Sequence, residues 1–288
     1  MISFPLRREI QAVAKGADLP YSDAVRDIVR LVAIAQLCDK DFLNEDCVLV
    51  GGMALRLRGS NRFTIFDTDS STRRAPVDER EIADGLTFSS DELEIVPEDP
   101  IYWTISKKLR TAQPVKYKAY FAGTATVPLE DEFSLTVNER GLTMPPEWFA
   151  LRTPYPSLVF DPVPRVPVMH LVEQTAEKIL GWCGNSLAKH YLDLGWIARE
   201  LAEGLNGGQL REQCDVKLRI NKELFADFDR FADVDGLVAP LERPDQYYGP
   251  LNRDRDRRAT GIHFLGNPMS LEEAKTHVRE GILPLLRD

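Results

Sequence analysis

Residues 48–55 read Val48-Leu49-Val50-Gly51-Gly52-Met53-Ala54-Leu55, followed by Arg62-Phe63-Thr64 and then Asp67-Thr68-Asp69. The apolar run 47–50 entering Gly51-Gly52 predicts a strand ending in a tight turn, because glycine allows positive φ and close backbone approach. Residues 53–57 resume a helix-like pattern, and 63–69 predict a second strand. In a strand, residues i and i+2 share a face, so Asp67 and Asp69 present two carboxylates side by side. Two like charges so close repel unless a cation sits between them. Oxygen-only ligands of this kind suit Mg²⁺ or Mn²⁺, with Mg²⁺ also taking substrate phosphates. The Gly-Gly turn can offer backbone N–H groups to a phosphate, helped by the helix N-terminus that follows. These parts describe a nucleoside-triphosphate and metal site for in-line attack on phosphorus. Taken alone, Asp-x-Asp is also what exposed strand-end acids look like; the glycine turn upstream is what favours the metal site.

Around this stretch the chain is ordinary in composition and uneven in charge. Its 288 residues suffice for one large domain or two modest ones. Acids outnumber bases 45 to 36, for a net charge of -9, which excludes a uniformly basic nucleic-acid coat. The charge is segregated, however. Residues 51–76 hold five Arg and two Asp, 77–99 hold nine acids and one Arg, and 103–120 hold five Lys or Arg and no acid. Solvated faces on alternating elements account for this, and so does a basic groove beside an acidic site, with 77–99 as a surface loop or helix. No apolar run reaches the roughly 20 residues of a membrane span, and no signal-peptide core follows the N-terminus. The expectation is a cytoplasmic protein that does not enter membranes. Cys38, Cys47, Cys183 and Cys214 are scattered and the four histidines lack zinc spacing, so reduced cysteines packed in a core are expected.

Apolar spacing predicts an amphipathic helix over 21–39. Strand-like alternation marks 115–122 and 132–138. Seven prolines between 145 and 167 exclude regular helix and read as an extended connection. Beyond it the pattern turns helical: 168–182, then 187–205 stopped by Asn206-Gly207-Gly208, then 223–231 and 271–286. The expected organisation is an α+β domain with N-terminal helices over 1–144, the connection over 145–167, and a mainly helical domain over 168–288.

The order Gly-Gly, short helix, Arg-Phe-Thr, Asp-x-Asp resembles the AbiEii-type nucleotidyltransferase toxin family, which includes the MenT toxins. A second block strengthens the resemblance: Glu177-Lys178-Ile179-Leu180, then Lys189-His190-Tyr191-Leu192-Asp193-Leu194. It covers roughly residues 45–200. It implies a polymerase β-type nucleotidyltransferase fold, a mixed sheet with flanking helices and an appended helical domain that contributes Lys178 and Asp193. Carried over by position, Asp67 and Asp69 would hold Mg²⁺ or Mn²⁺. The N–H groups of Gly51, Gly52 and Met53 would cradle the triphosphate. Lys178 would neutralise charge on the leaving pyrophosphate, Asp193 would orient Lys178 or a nucleotide hydroxyl, and Lys189 would add a phosphate contact. By itself Lys178 reads more readily as a solvated lysine on an amphipathic helix than as a catalytic group, and Trp182 and Trp196 read as packing.

The resemblance further implies a toxin that transfers a nucleotide from an NTP, a pyrimidine by preference, to the 3′ end of tRNA, and a cognate antitoxin. A monomer is expected. RNA affinity would come from phosphate contacts, with Arg73, Arg74, Lys107, Lys108, Arg110, Lys116 and Lys118 as candidates. Nucleotidyl transfer to a protein or small-molecule acceptor, and a non-catalytic protein with this fold, are the alternatives. Three departures bear on these. Ile65 and Phe66 separate Thr64 from Asp67 where relatives place Ser two residues before the first Asp. The strand 133–137 offers Ser134 or Thr136 where polymerase-type folds use a third Asp. His190 stands where some relatives have Asp.

Overall fold

The apolar period over 21–39 folds as a helix, Tyr21–Asp39, but not as one with a wet face. Twelve of its residues are buried, Asp27 and Arg30 among them, because strands of the sheet and two further helices all pack against it. A computed structural model describes residues 1–63, 67–73, 79–105, 108–124, 127–138, 141–185, 187–247, 263–265 and 269–287; for residues 67, 79, 103–105, 108–110, 124, 263 and 264 it describes the backbone alone. The chain divides into two compact units, Met1–Met169 with His263–Gly266, and His170–Ile262 with Asn267–Asp288.

The first unit runs β1 (Ile2–Ser3), α1 (Arg7–Gly16), α2 (Tyr21–Asp39), β2 (Cys47–Leu49), α3 (Gly51–Leu57), β3 (Arg62–Phe63), β4 (Asp67–Thr72), α4 (Glu79–Leu86), β5 (Phe88–Ser89), β6 (Leu93–Pro97), β7 (Ile101–Ile105), β8 (Lys108–Thr124), β9 (Val127–Asn138), β10 (Glu147–Ala150), β11 (Val159–Phe160) and β12 (Arg165–Val168), with β13 (His263–Phe264) returning from far along the chain. Among the described residues, nine strands form one mixed sheet in the order β10-β12-β2-β4-β9-β8-β6-β5, with β7 on β8. Its middle mixes directions: β12 is parallel to β2, β2 antiparallel to β4, and β4 parallel to β9.

Three elements differ from their sequence reading. The strand expected over 63–69 is two, since β3 leaves the sheet to pair with β13, a partner no local pattern reveals. The acidic stretch 77–99 is neither loop nor plain helix; it is α4 followed by β5 and β6, anchored by buried Ile82, Leu86, Leu93 and Ile95. The proline-rich stretch carries β10, β11 and β12 of the first unit. Of its prolines only Pro167 lies inside a strand, as expected of a residue that cannot donate to a ladder.

The second unit is helical among the described residues: α5 (Leu171–Asn185), α6 (Ala188–Glu200), α7 (Gly207–Leu224), α8 (Val238–Glu242), α9 (Pro244–Tyr247), α10 (Leu271–Gly281) and α11 (Leu283–Arg287). Asn206-Gly207-Gly208 starts a helix here rather than stopping one. The Asn206 side chain accepts the Gln209 N–H at 3.0 Å, an N-cap that outweighs the breaking tendency of the two glycines. The helix expected over 223–231 is the end of α7 plus a single 3₁₀ turn, Ala226–Phe228. The pattern over 271–286 is broken into α10 and α11, where Pro284 takes the first turn of the second helix. No described helix is long and apolar enough to cross a membrane. The four cysteines are free, and all but the half-buried Cys38 are fully buried.

Candidate active site

The turn between β2 and α3 brings bare backbone to a carboxylate. Gly51 has φ +68°, and a Cβ built there would stand 3.3 Å from Asp69 Oδ2. Any larger residue would be strained by its backbone and would crowd the Asp69 carboxylate. The Val50 N–H donates to the Asp69 carbonyl at 2.9 Å, tying the turn to β4 from the other side. Asp69 is half-buried. A half-sheltered carboxylate in a cradle that a Cβ would fill, two residues from a second Asp, fits a hard divalent cation.

Parallel to β4 runs β9, with Ser134 opposite Asp67, Leu135 opposite Thr68 and Thr136 opposite Asp69. The neighbouring strand therefore brings hydroxyls, not a third carboxylate, to the register positions beside the two aspartates. Among the described residues no three His, Cys, Asp or Glu side chains converge as a metal site. The acids earlier in this strand are engaged elsewhere: Asp131 pairs with Arg26, and Glu132 lies opposite Lys116 on β8.

Two buried charges on α2, three residues apart, reach α3 and β4 respectively. Asp27 takes the Arg56 guanidinium of α3 in both carboxylate oxygens, Nη2 to Oδ2 at 2.9 Å. Burial would lower the Arg56 pKa, but the Asp27 carboxylate outweighs it and raises it. Arg30 donates from Nε to Thr68 Oγ1 at 2.8 Å. Neither residue figured in the sequence reading. The signal was present: Asp27 and Arg30 interrupt an apolar run on a helix, where an unpaired charge is costly.

In the second unit, Lys178 of α5 and Asp193 of α6 form a buried ion pair, Nζ to Oδ2 at 2.6 Å. His190 packs on Gly181, where an added Cβ would stand 2.9 Å from the imidazole, so α5 and α6 approach closely at this level. Lys189 is half-buried on α6. A second buried cluster was not anticipated: Lys217 of α7 lies 2.6 Å from Glu173 and 3.0 Å from Glu177 of α5. Trp182 is packing, its indole N–H donating to the Pro240 carbonyl at 2.9 Å and its ring meeting Tyr191 edge-on at 4.7 Å.

The candidate RNA contacts are dispersed. Arg73 donates to the Leu142 and Met144 carbonyls at 3.2 and 2.6 Å. Lys116 pairs with Glu98 at 2.5 Å, and Lys118 lies 4.0 Å from Glu94 and 3.9 Å from Glu130. These two lysines sit on one face of β6, β8 and β9 in rows that alternate with acids. Lys108 and Arg110 belong to β8, while Thr64, Arg74 and Lys107 lie outside the described residues.

The model of a family described as "Nucleotidyl transferase AbiEii toxin, Type IV TA system" matches residues 35–274. Among solved structures, the chain is similar to MenT4, a nucleotidyltransferase toxin from Mycobacterium tuberculosis H37Rv, with TM-score 0.68 and 20% identity over 98% of this chain and 89% of that one. It is also similar to JHP933 from Helicobacter pylori, with TM-score 0.52 and 14% identity over 98% of this chain and 92% of that one. At such identities these likenesses show the fold: a mixed sheet with flanking helices and a helical C-terminal region. A comparison with curated protein sequences finds no significant match.

Proposed function

The chain belongs to the AbiEii family of nucleotidyltransferase toxins of type IV toxin–antitoxin systems, and on that premise we propose that it transfers a nucleoside monophosphate from a pyrimidine nucleoside triphosphate to the 3′ end of tRNA. The approach of the Asp69 carboxylate to the Gly51 turn carries this reading. In that geometry the groups suited to a metal-bound phosphate and those suited to a triphosphate tail meet in one place. The acceptor 3′ hydroxyl oxygen attacks the α-phosphorus and gives up its proton to solvent, the bond to the β-phosphate oxygen breaks, and pyrophosphate leaves. Asp67 and Asp69 are the residues that would hold a divalent cation, and the cation would supply charge neutralisation at the α-phosphate. The N–H groups of Gly51, Gly52 and Met53 receive the triphosphate. Lys178, paired with Asp193, meets the negative charge that grows on the leaving group. Lys189 adds a phosphate contact.

The RNA contacts are assigned chiefly to Arg73, Arg74, Lys107, Lys108 and Arg110. Lys116 and Lys118 share their charge with neighbouring glutamates and contribute less to phosphate attraction. Blocking the tRNA acceptor end would stop aminoacylation, which accounts for toxicity, and the system's antitoxin is the partner that restrains it. The protein acts in the cytoplasm, where tRNA and NTPs are found. The test is incubation of the purified chain with total tRNA and each of four labelled NTPs in Mg²⁺. Label from CTP or UTP in tRNA is the expected result. Label only in protein, or only in a small-molecule acceptor such as an aminoglycoside, would overturn the tRNA assignment while keeping the nucleotidyltransferase.

A further inference from the structure

We propose that Arg30 is a positioning residue for the metal-binding carboxylates, acting through Thr68; the inference rests on the metal-dependent reading above. Arg30 is 1% exposed, and the hydroxyl it donates to belongs to a residue 2% exposed that stands between Asp67 and Asp69. Side chains alternate along a strand, so Thr68 points to the face opposite Asp69. The guanidinium therefore grips β4 from its buried face while Asp69 is presented on the other. Farther along β4, Ser70 Oγ and Ser71 Oγ each donate at 3.3 Å to carbonyls of β9, those of Thr136 and Asn138. The aspartate end is the end that Arg30 holds.

The helix that carries Arg30 is a rigid support, buried along most of its length. Its Asp27 takes Arg56 of α3, so one helix fixes both the strand of Asp69 and the helix behind the Gly51 turn. A slip of β4 by one residue would exchange its two faces, turning Asp69 inward and Thr68 outward. The Arg30–Thr68 bond opposes that slip. Supporting partners of this kind tune metal affinity by about 10–100-fold in metalloproteins.

The experiment is titration of Mn²⁺ alone into the full chain, followed by calorimetry, with thermal melting run in parallel. The chains compared are wild type, Arg30→Gln, Thr68→Val, Thr68→Ser and Asp69→Asn. Mn²⁺ binding weakened by about tenfold in Arg30→Gln and Thr68→Val, and restored in Thr68→Ser, is the expected result. Thr68→Val keeps shape and burial, so it tests the bond even where Arg30→Gln folds poorly. Wild-type Mn²⁺ affinity in Thr68→Val, with Asp69→Asn defective, overturns the positioning role alone. Wild-type affinity in Asp69→Asn as well overturns the metal reading, and the positioning role with it.

Discussion

Lys178 Nζ lies 2.6 Å from Asp193 Oδ2, with both side chains buried. Removing one partner of such a pair leaves a buried charge uncompensated, at a cost of about 3–5 kcal/mol, whereas an apolar replacement of both is often near neutral. Lys178→Ala and Asp193→Asn should therefore both lower the melting temperature. The double variant Lys178→Met with Asp193→Leu should recover most of that loss. Nucleotidyl transfer should not recover with it: the double variant should stay at least about 100-fold below wild type. Calorimetric melting and a labelled-NTP assay on the same preparations read the two effects. Activity that returned with stability would make the pair a structural one.

Gly51 and Gly59 both have positive φ, +68° and +111°, but of the two only Gly51 faces the Asp69 carboxylate; nothing lies within 4 Å of a Cβ at Gly59. Alanine at either position carries a backbone strain of about 1–3 kcal/mol. The stability losses should be similar, and the activity losses should not. Gly51→Ala should reduce kcat by tenfold or more, on the order of a lost catalytic contact, and Gly59→Ala should leave kcat within about twofold. Steady-state kinetics at saturating NTP distinguish them, and equal kcat values would remove Gly51 from the site.

How much of this was legible in the sequence depends on the range of the interactions involved. Local patterns sufficed for α2, for the turn after β2 and for the existence of β8 and β9, since period and glycine are local signals. The identity of the strand beside Asp67 and Asp69 was legible only as chemistry: Ser134 and Thr136 were named as the hydroxyls in place of a third acid, and β9 puts them at those register positions. Pairings between distant residues were not legible. The partner of β3 lies some two hundred residues away in β13, and nothing at 62–63 specifies it. Asp27 and Arg30 were hidden because an amphipathic reading of α2 assumes a wet face for its charges, and the fold covers that face. The Asn206 cap was misread because Asn-Gly-Gly serves equally at helix ends and helix starts.

Lys217 is held by Glu173 and Glu177, with Glu173 itself fully buried. Burial alone would lower its pKa; the Glu177 and Glu173 carboxylates outweigh burial and raise it. A raised folded-state pKa means stability that is fully present below the unfolded value of about 10.4 and lost as pH rises through the higher folded value. The stability difference between wild type and Lys217→Met should thus be flat from about pH 7 to 10 and shrink above it. At neutral pH the variant should lose about 3 kcal/mol, because Glu173 is left without its cation. Denaturant melts at several pH values check both statements, and a difference that grew with alkaline pH would reverse the assigned sign.

Burial pushes the Cys38 and Cys214 thiols up to about 12 and raises Cys183 further. The thiolate is the reactive form, so at pH 8 only about one molecule in ten thousand carries it at Cys38 or Cys214. Burial of Cys47, Cys183 and Cys214 adds a barrier of access. The native chain should therefore react negligibly with Ellman's reagent over an hour at pH 8, and all four thiols should react promptly in guanidinium chloride. Cys38, the one half-buried thiol, should lead any slow native reaction, because it needs the smallest local opening. Rapid native labelling at Cys183 or Cys214 instead would mean that the second unit opens far more readily than its buried Trp182 and Lys217 contacts imply, and would bring their packing into question.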